Sequence, residues 1–329
     1  NGTNLDQLNG LQRRLGNRQI QLIAIGGSIG TGLFIAIGGA LYKGGPVSLL
    51  IALIIQTIMV SLLNNCLAEM STYMPVSGGF IALAGKWVDD AWGFLAGWNF
   101  FIFMALNIPF EISAVNLLLR FRRDDIPPWA VCLACIGAYA VINLFTVHAY
   151  GEAEFWLSGG KVLLIVILFM FTFITMIGGN PKHDAYGFRY WTHPGPFATY
   201  ASPGDLGRFE GFLGALWTAV FIVTGPEYIS TASAEAKHPR IYVKQAFKMV
   251  YWRFSFFYIG GAICVGTILA HNDPSLITAV ESGKSSAAAF SYIITMENLS
   301  ITGLPHLATE LMLTSVFPAA NTYWHAAIR

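Results

Sequence analysis

The sequence predicts an all-α polytopic membrane protein. Of its 329 residues, 55% are apolar and only 11% are charged, whereas a soluble domain usually carries about 25% charged residues. So few charges cannot cover a water-exposed surface, and this composition excludes a disordered chain, a coiled coil and a nucleic-acid-binding protein. The apolar residues gather into about eight stretches of membrane-spanning length. Each stretch must be a helix, because an open sheet cannot satisfy its backbone hydrogen bonds in lipid.

The predicted spans follow a polar N-terminal tail, residues 1–19, and together form one transmembrane domain over residues 20–329. Glycine- and proline-rich turns or polar loops separate neighbouring spans, as at Gly44-Gly45-Pro46. The predicted spans are residues 20–41, 47–68, 91–118, 128–147, 156–178, 211–232, 250–270 and 304–325.

The distribution of Lys and Arg predicts a cytoplasmic N-terminus. A simple count is balanced between the two sides, and the basic cluster at Arg120–Arg123 argues for the opposite orientation. Dense basic clusters nevertheless flank the first and sixth spans, in the tail and in the link from Lys237 to Lys248. Because basic residues close to span ends determine topology, we expect both clusters to face the cytoplasm.

Two spans carry helix-breaking residues in the middle of their apolar runs. The first contains the glycine-rich stretch Gly26–Gly32, and the sixth contains Thr224-Gly225-Pro226-Glu227. In a helix, Gly costs about 1 kcal/mol and Pro about 3 kcal/mol relative to Ala. Unwound backbone at membrane depth is tolerated where it lines a cavity, and a half-helix N-terminus attracts a carboxylate. A proline kink and a glycine-packed helix crossing are the plainer alternative. Breaks in spans one and six favour a five-plus-five inverted-repeat transporter fold.

Two other motifs suggest different chemistry, but their context argues against it. Cys132 and Cys135 form a CxxC within an apolar span, and no second cysteine or histidine pair completes a zinc site. Gly26–Gly30 matches the GxSxG of serine hydrolases, which requires a strand before it rather than a basic tail. We therefore expect a protein that is not an enzyme and that uses no metal and no cofactor.

Ionisable residues within spans are costly and usually functional. Glu111 in the third span and Glu227 at the sixth-span break are candidates, with a structural hydrogen bond as the alternative role. Lys161 opens the fifth span, where a buried role and a solvated helix end are both open. Arg253 lies near a span end, where its side chain can extend to the interface.

Several motifs resemble the fungal amino-acid permeases, a branch of the amino acid–polyamine–organocation superfamily. IGGSIGTGLFI (Ile25–Ile35) resembles the opening span of that family, and Pro109-Phe110-Glu111 resembles its third-span Pro-x-Glu. LAEMSTYMPVSGGF (Leu67–Phe80) and the stretch Ala232–Tyr258 are similar to its inner signatures, in the same order along the chain.

The resemblance implies a twelve-helix bundle of two inverted five-helix repeats in the plasma membrane. It implies a carrier that brings amino acids inward with protons, so that the amino-acid substrate, protons and the lipid bilayer are its partners and the proton gradient its energy source. The substrate-binding residues that it implies are Ser28, Gly30, Thr31, Gly32, Thr224, Gly225 and Glu227. Glu111 and Lys161 are the residues that it implies in proton coupling, Lys161 because it matches a lysine that replaces a bound sodium ion in some members.

The sequence also departs from the family pattern. Val223 stands where the family often has a second aromatic residue, Pro226 replaces a threonine, and Glu310 adds a charge to the eighth span. The chain stops after that span, whereas the second repeat needs spans six to ten, so we expect an incomplete permease. An amino-acid sensor that binds without transport and a non-functional truncated permease are the alternatives.

Overall fold

The computed structural model describes residues 16–17, 20–21, 31–120, 125–144, 147–281 and 290–327, without the side chains of residues 144–158 and 325–326. This part of the chain is helical and contains no strand. Its α-helices are α1 (Ile37–Tyr73), α2 (Gly79–Trp87), α3 (Asp90–Arg120), α4 (Pro128–Leu144), α5 (Val147–Met176), α6 (Arg189–Thr192), α7 (Gly204–Ile222), α8 (Pro226–Ala232), α9 (Pro239–Arg253), α10 (Gly260–Ile268), α11 (Pro274–Glu281), α12 (Ser291–Asn298) and α13 (Leu304–Ala327). A π-helical turn precedes α1 (Gly32–Ala36), and another joins α9 to α10 (Phe254–Ile259).

Five helical segments of the described chain are long and apolar enough to cross a membrane: Gly32–Tyr73, Asp90–Arg120, Gly159–Met176, Gly204–Glu235 and Pro239–Ile268. The segment Pro128–Asn143 is a shorter apolar helix. These segments confirm the predicted all-α polytopic membrane class. The helix α13, which covers the predicted eighth span, is more polar, and it buries Thr309, Ser315 and Asn321 inside the bundle.

The first long segment is long enough to cross a bilayer twice. Its 42 residues extend about 63 Å at 1.5 Å per residue, about twice a hydrocarbon core of about 30 Å. The helix is interrupted at Gly45, where φ is 78° and ψ is 173°. The N–H of Val47 donates to Pro196 O at 3.1 Å, and the N–H of Ala198 donates to Gly44 O at 3.0 Å. A loop between α6 and α7 therefore supplies hydrogen bonds to the backbone at the predicted turn.

The helices pack in two groups around a shared apolar core. In one, α1 contacts α7, α9 and α10, and in the other α13 contacts α3 and α5. Large apolar side chains also cover the outside, where Trp217 and Trp252 are 79% and 75% exposed. An outer surface of this kind suits a lipid environment.

Two minor expectations from the sequence can now be assigned. Cys132 and Cys135 lie on α4 with free thiols. Arg253 does not extend to the interface, because it is only 9% exposed and its guanidinium donates to Ala246 O at 3.0 Å and to Met249 O at 3.3 Å.

Candidate functional site

The predicted sixth span is broken where the sequence places its glycine and proline. Helix α7 ends at Ile222 and α8 begins at Pro226, so that residues 223–225 are unwound. Gly225 has φ 147° and ψ −40°, a conformation that side-chain-bearing residues rarely adopt. Pro226 at the first position of α8 lacks an N–H at a point where the helix provides no acceptor for one. The sixth span thus consists of two separate helices joined by unwound residues, and it is not one helix kinked at a proline.

Glu227 folds back over this break. Its two carboxylate oxygens accept the Gly225 N–H at 3.2 and 3.1 Å. The side chain is partly exposed, whereas the neighbouring Tyr228 is buried. In this conformation the Glu227 side chain occupies the Gly225 N–H, a donor that we expect a substrate carboxylate to use.

The broken sixth span contacts the beginning of the first long helical segment. A Cβ atom on Gly32 would lie 3.2 Å from Ile222 Cα and 3.5 Å from Phe221 O. The π-helical turn Gly32–Ala36 therefore lies directly against the end of α7, and a larger residue at position 32 would require the two helices to move apart slightly. Of the predicted substrate-binding residues, the structure brings Gly32 beside the break that holds Thr224, Gly225 and Glu227. Ser28 and Gly30 lie outside the described residues.

A buried acid on α3 is attached to the same end of the first segment. Thr31 Oγ1 donates to Glu111 Oε1 at 3.0 Å, and both residues are 1% exposed. The second oxygen, Glu111 Oε2, has no hydrogen-bond partner among the described residues. The structural hydrogen bond considered for Glu111 therefore exists, and it links α3 to the start of the first helical segment. The break predicted in the first span at residues 26–30 lies outside the described residues.

Lys161 on α5 is inside the bundle. It is 0% exposed, and its ammonium interacts electrostatically with the Glu111 carboxylate. At the preceding residue, a Cβ atom on Gly160 would lie 2.8 Å from Thr314 Oγ1, so α5 packs closely on α13 at this level. The alternative of a lysine at a solvated helix end is wrong, because α13 covers this part of α5.

Aromatic residues that the sequence did not single out surround the break. The hydroxyl of Tyr258 donates to Thr224 O at 3.4 Å, and the Phe110 and Phe221 rings meet edge to face at 5.1 Å. The Tyr228 and Tyr323 rings lie 6.0 Å apart. Their positions span most of the chain, and no local motif connects them.

The departures noted in the sequence lie in different surroundings. Val223 is 2% exposed within the break, so a small apolar side chain fills the place of an aromatic one. Glu310 lies on the exposed face of α13 and is not part of the cluster around Glu111.

The amino acid permease family model matches residues 19–329 of the chain. The chain belongs to the amino acid permease family.

Among its relatives is a general amino acid permease of Saccharomyces cerevisiae, which is 42% identical over 97% of this chain and 54% of the relative. A proline-specific permease of Emericella nidulans is 37% identical over 97% of this chain and 58% of the relative. A dicarboxylic amino acid permease of Saccharomyces cerevisiae is 36% identical over 98% of this chain and 54% of the relative. The chain thus spans about half the length of the curated relatives that it matches. The predicted permease resemblance is confirmed, and these relatives are transporters rather than enzymes.

Proposed function

We propose that this protein binds an amino acid between its two broken spans and carries it across the membrane together with protons by alternating access. The observation that carries the proposal is the contact of Gly32 with the last residue of α7, immediately before the unwound residues 223–225. Backbone without helical hydrogen bonds at membrane depth is retained where it lines a cavity. The names of the relatives support amino acids as the substrate class.

In this proposal the substrate amino group lies near Glu227. The Glu227 carboxylate and the carbonyl oxygens of the unwound residues are acceptors, and an ammonium group has only donors. The substrate carboxylate lies toward the first span, whose start is held against the end of α7 by the close approach at Gly32. Thr31 and Thr224 complete the set, with Ser28 and Gly30 as further contacts that the resemblance implies.

Glu111 and Lys161 provide the proposed proton coupling, with Glu227 as the alternative acid. Adding a proton to Glu111 removes the negative charge that interacts with Lys161 and makes the carboxyl group a donor as well as an acceptor. Because Thr31 bonds to Glu111, this change acts directly on the start of the first helical segment. Protonation therefore has a physical route to the substrate site.

Uptake measurements test the proposal. Radiolabelled amino acids, including proline, acidic and neutral members, are offered at several pH values to a host that lacks its own permeases. The host expresses either this chain or a version extended through the remaining length of its relatives. We expect the extended protein to accumulate at least one amino acid, faster at acidic external pH. Binding without accumulation by the extended protein would instead support a sensor. If the extended protein showed no binding and no uptake of any amino acid, the proposal would be refuted.

We also propose a plasma-membrane location with a cytoplasmic N-terminus. Lys182 and Lys244 are both exposed and lie at opposite ends of the bundle, one in the loop after α5 and the other on α9. In a background without the four native cysteines, Lys182→Cys is expected to react with an impermeant maleimide on intact cells, and Lys244→Cys only after permeabilisation. The reverse pattern would overturn the orientation.

A further inference from the structure

Helix α9 begins with an exposed basic stripe. We infer that this stripe, defined as Lys237, Arg240, Lys244 and Lys248, binds the headgroups of anionic phospholipids in the adjacent leaflet. All four side chains are exposed. None of the four side chains makes a hydrogen bond or an ion pair with another described residue. Their positive charges are therefore available to an external anion.

The spacing of the stripe directs it to one side of the helix. Arg240, Lys244 and Lys248 follow one another at intervals of four residues, which places them along one face of an α-helix. The opposite face is apolar and buried against the rest of the bundle, as Ala246 and Val250 show with exposures of 0% and 2%. The cations thus point away from the protein core.

The length of the helix places the stripe at the membrane surface. Residues Pro239–Ile268 form one segment of 30 residues, which extends about 45 Å. The hydrocarbon core is about 30 Å thick, so that about ten residues must lie outside it. If the C-terminal end at Ile268 lies at the far boundary, the residues outside the core are those that carry Arg240, Lys244 and Lys248.

Exposed apolar residues mark the same boundary. Trp252 is 75% exposed and follows Lys248 by four residues, and Met249 is 44% exposed. Tryptophan is enriched at the level of the headgroups, where its ring is partly in lipid and partly in water. The cations of the stripe therefore lie at the level of the lipid phosphates, and the exposed Trp252 lies at the boundary with the acyl chains.

Charge complementarity selects anionic lipids over neutral ones. Residues 239–253 contain no Asp or Glu, and Glu69, which is exposed on the adjacent α1, makes no ion pair with the stripe. Each cation near an anionic membrane surface favours binding by about five-fold. Anionic phospholipids are concentrated in the cytoplasmic leaflet, which agrees with the proposed orientation.

Lipid retention by the purified full chain tests this inference without any transport measurement. The protein in uncharged detergent is mixed with phosphatidylserine or phosphatidylcholine, and the bound lipid is counted by native mass spectrometry. We expect a preference for phosphatidylserine that weakens as ionic strength rises. The combined variant Arg240→Gln, Lys244→Gln and Lys248→Gln is expected to lower the phosphatidylserine affinity about 100-fold.

A matched variant with three exposed cations changed at the opposite end, Arg120→Gln, Lys182→Gln and Arg208→Gln, is the control and should keep the preference. Size-exclusion profiles verify that each variant is folded. Equal retention of the two lipids by the wild-type chain, or equal loss in both triple variants, would overturn the inference. Inorganic phosphate is the third probe: if it displaces phosphatidylserine at equal concentration, the stripe is a phosphate site and the lipid assignment is wrong.

Discussion

Replacing Glu111 with Gln tests the charged cluster most directly. Glutamine has nearly the same shape as glutamate and keeps a carbonyl oxygen that can accept the Thr31 hydroxyl, now at 3.0 Å. The substitution therefore removes the charge while leaving the packing and most of the hydrogen bonding in place. Its main effect falls on Lys161, which is 0% exposed and loses the carboxylate with which it interacts.

The magnitude follows from the burial of both residues. Glu111 and Lys161 interact electrostatically without forming an ion pair with each other among the described residues, so the loss of the carboxylate charge is expected to cost about 1–3 kcal/mol, the usual size of a coupling between neighbouring groups. A weaker hydrogen bond from Thr31 adds about 1 kcal/mol, the difference between a charged and a neutral acceptor. Changing Lys161 to Met in the same chain removes the remaining charge, so the double variant should recover part of the loss. We expect a coupling energy above about 1 kcal/mol between the two sites.

The assay is a double-mutant cycle of the free energy of unfolding, measured by denaturant titration in mixed micelles. Glu310→Gln is the matched control, because Glu310 lies on an exposed helix face, where surface substitutions change stability by about 0.5 kcal/mol or less. In the extended protein, Glu111→Gln should also flatten the dependence of uptake on external pH. A Glu111→Gln effect no larger than that of Glu310→Gln, together with a coupling energy near zero, would refute the pairing.

Three further predictions follow from single positions. Gly225→Ala places a side chain on a residue with a φ of 147°, so it should lower the free energy of unfolding by about 1–3 kcal/mol and abolish uptake. Gly137→Ala on α4 is the control, because a Cβ atom there meets nothing within 4 Å, and thermal unfolding should show it to be neutral or stabilising. Gly32→Ala brings a Cβ atom 3.2 Å from Ile222 Cα, and it should weaken substrate binding with an overpacking cost of about 1–3 kcal/mol. Gly39→Ala is the control, because a Cβ atom there meets open space. Equal substrate binding by the two variants would contradict the close approach. Burial lowers the pKa of His271, in the loop after α10, below its usual 6.5. The unfolded chain therefore binds more protons than the folded one, and the folding stability decreases as the pH falls below 6.5. In thermal unfolding, His271→Gln should show a smaller loss of stability over the same pH range.

The sequence alone determined the membrane class, the helical content and the position of the sixth-span break. These properties depend on local composition, since too few charges, long apolar runs and a Gly-Pro pair act through solvation and backbone geometry wherever they occur. The turn at Gly44–Pro46 was predictable for the same reason, because its residues break a helix by themselves. The family could also be recognised at this level, since its motifs are contiguous stretches of sequence.

Only the tertiary structure decided how these pieces meet. Glu111 and Lys161 are fifty residues apart, and a hydrophobic pattern contains no information on whether a lysine near a helix end is covered by α13 or reaches the surface. The capping of the Gly225 N–H by Glu227 depends on a side-chain conformation, and the contact of Gly32 with Ile222 depends on the packing of two helices. Such contacts arise from the shape of the folded bundle, where residues distant in the chain exclude lipid and water from one another.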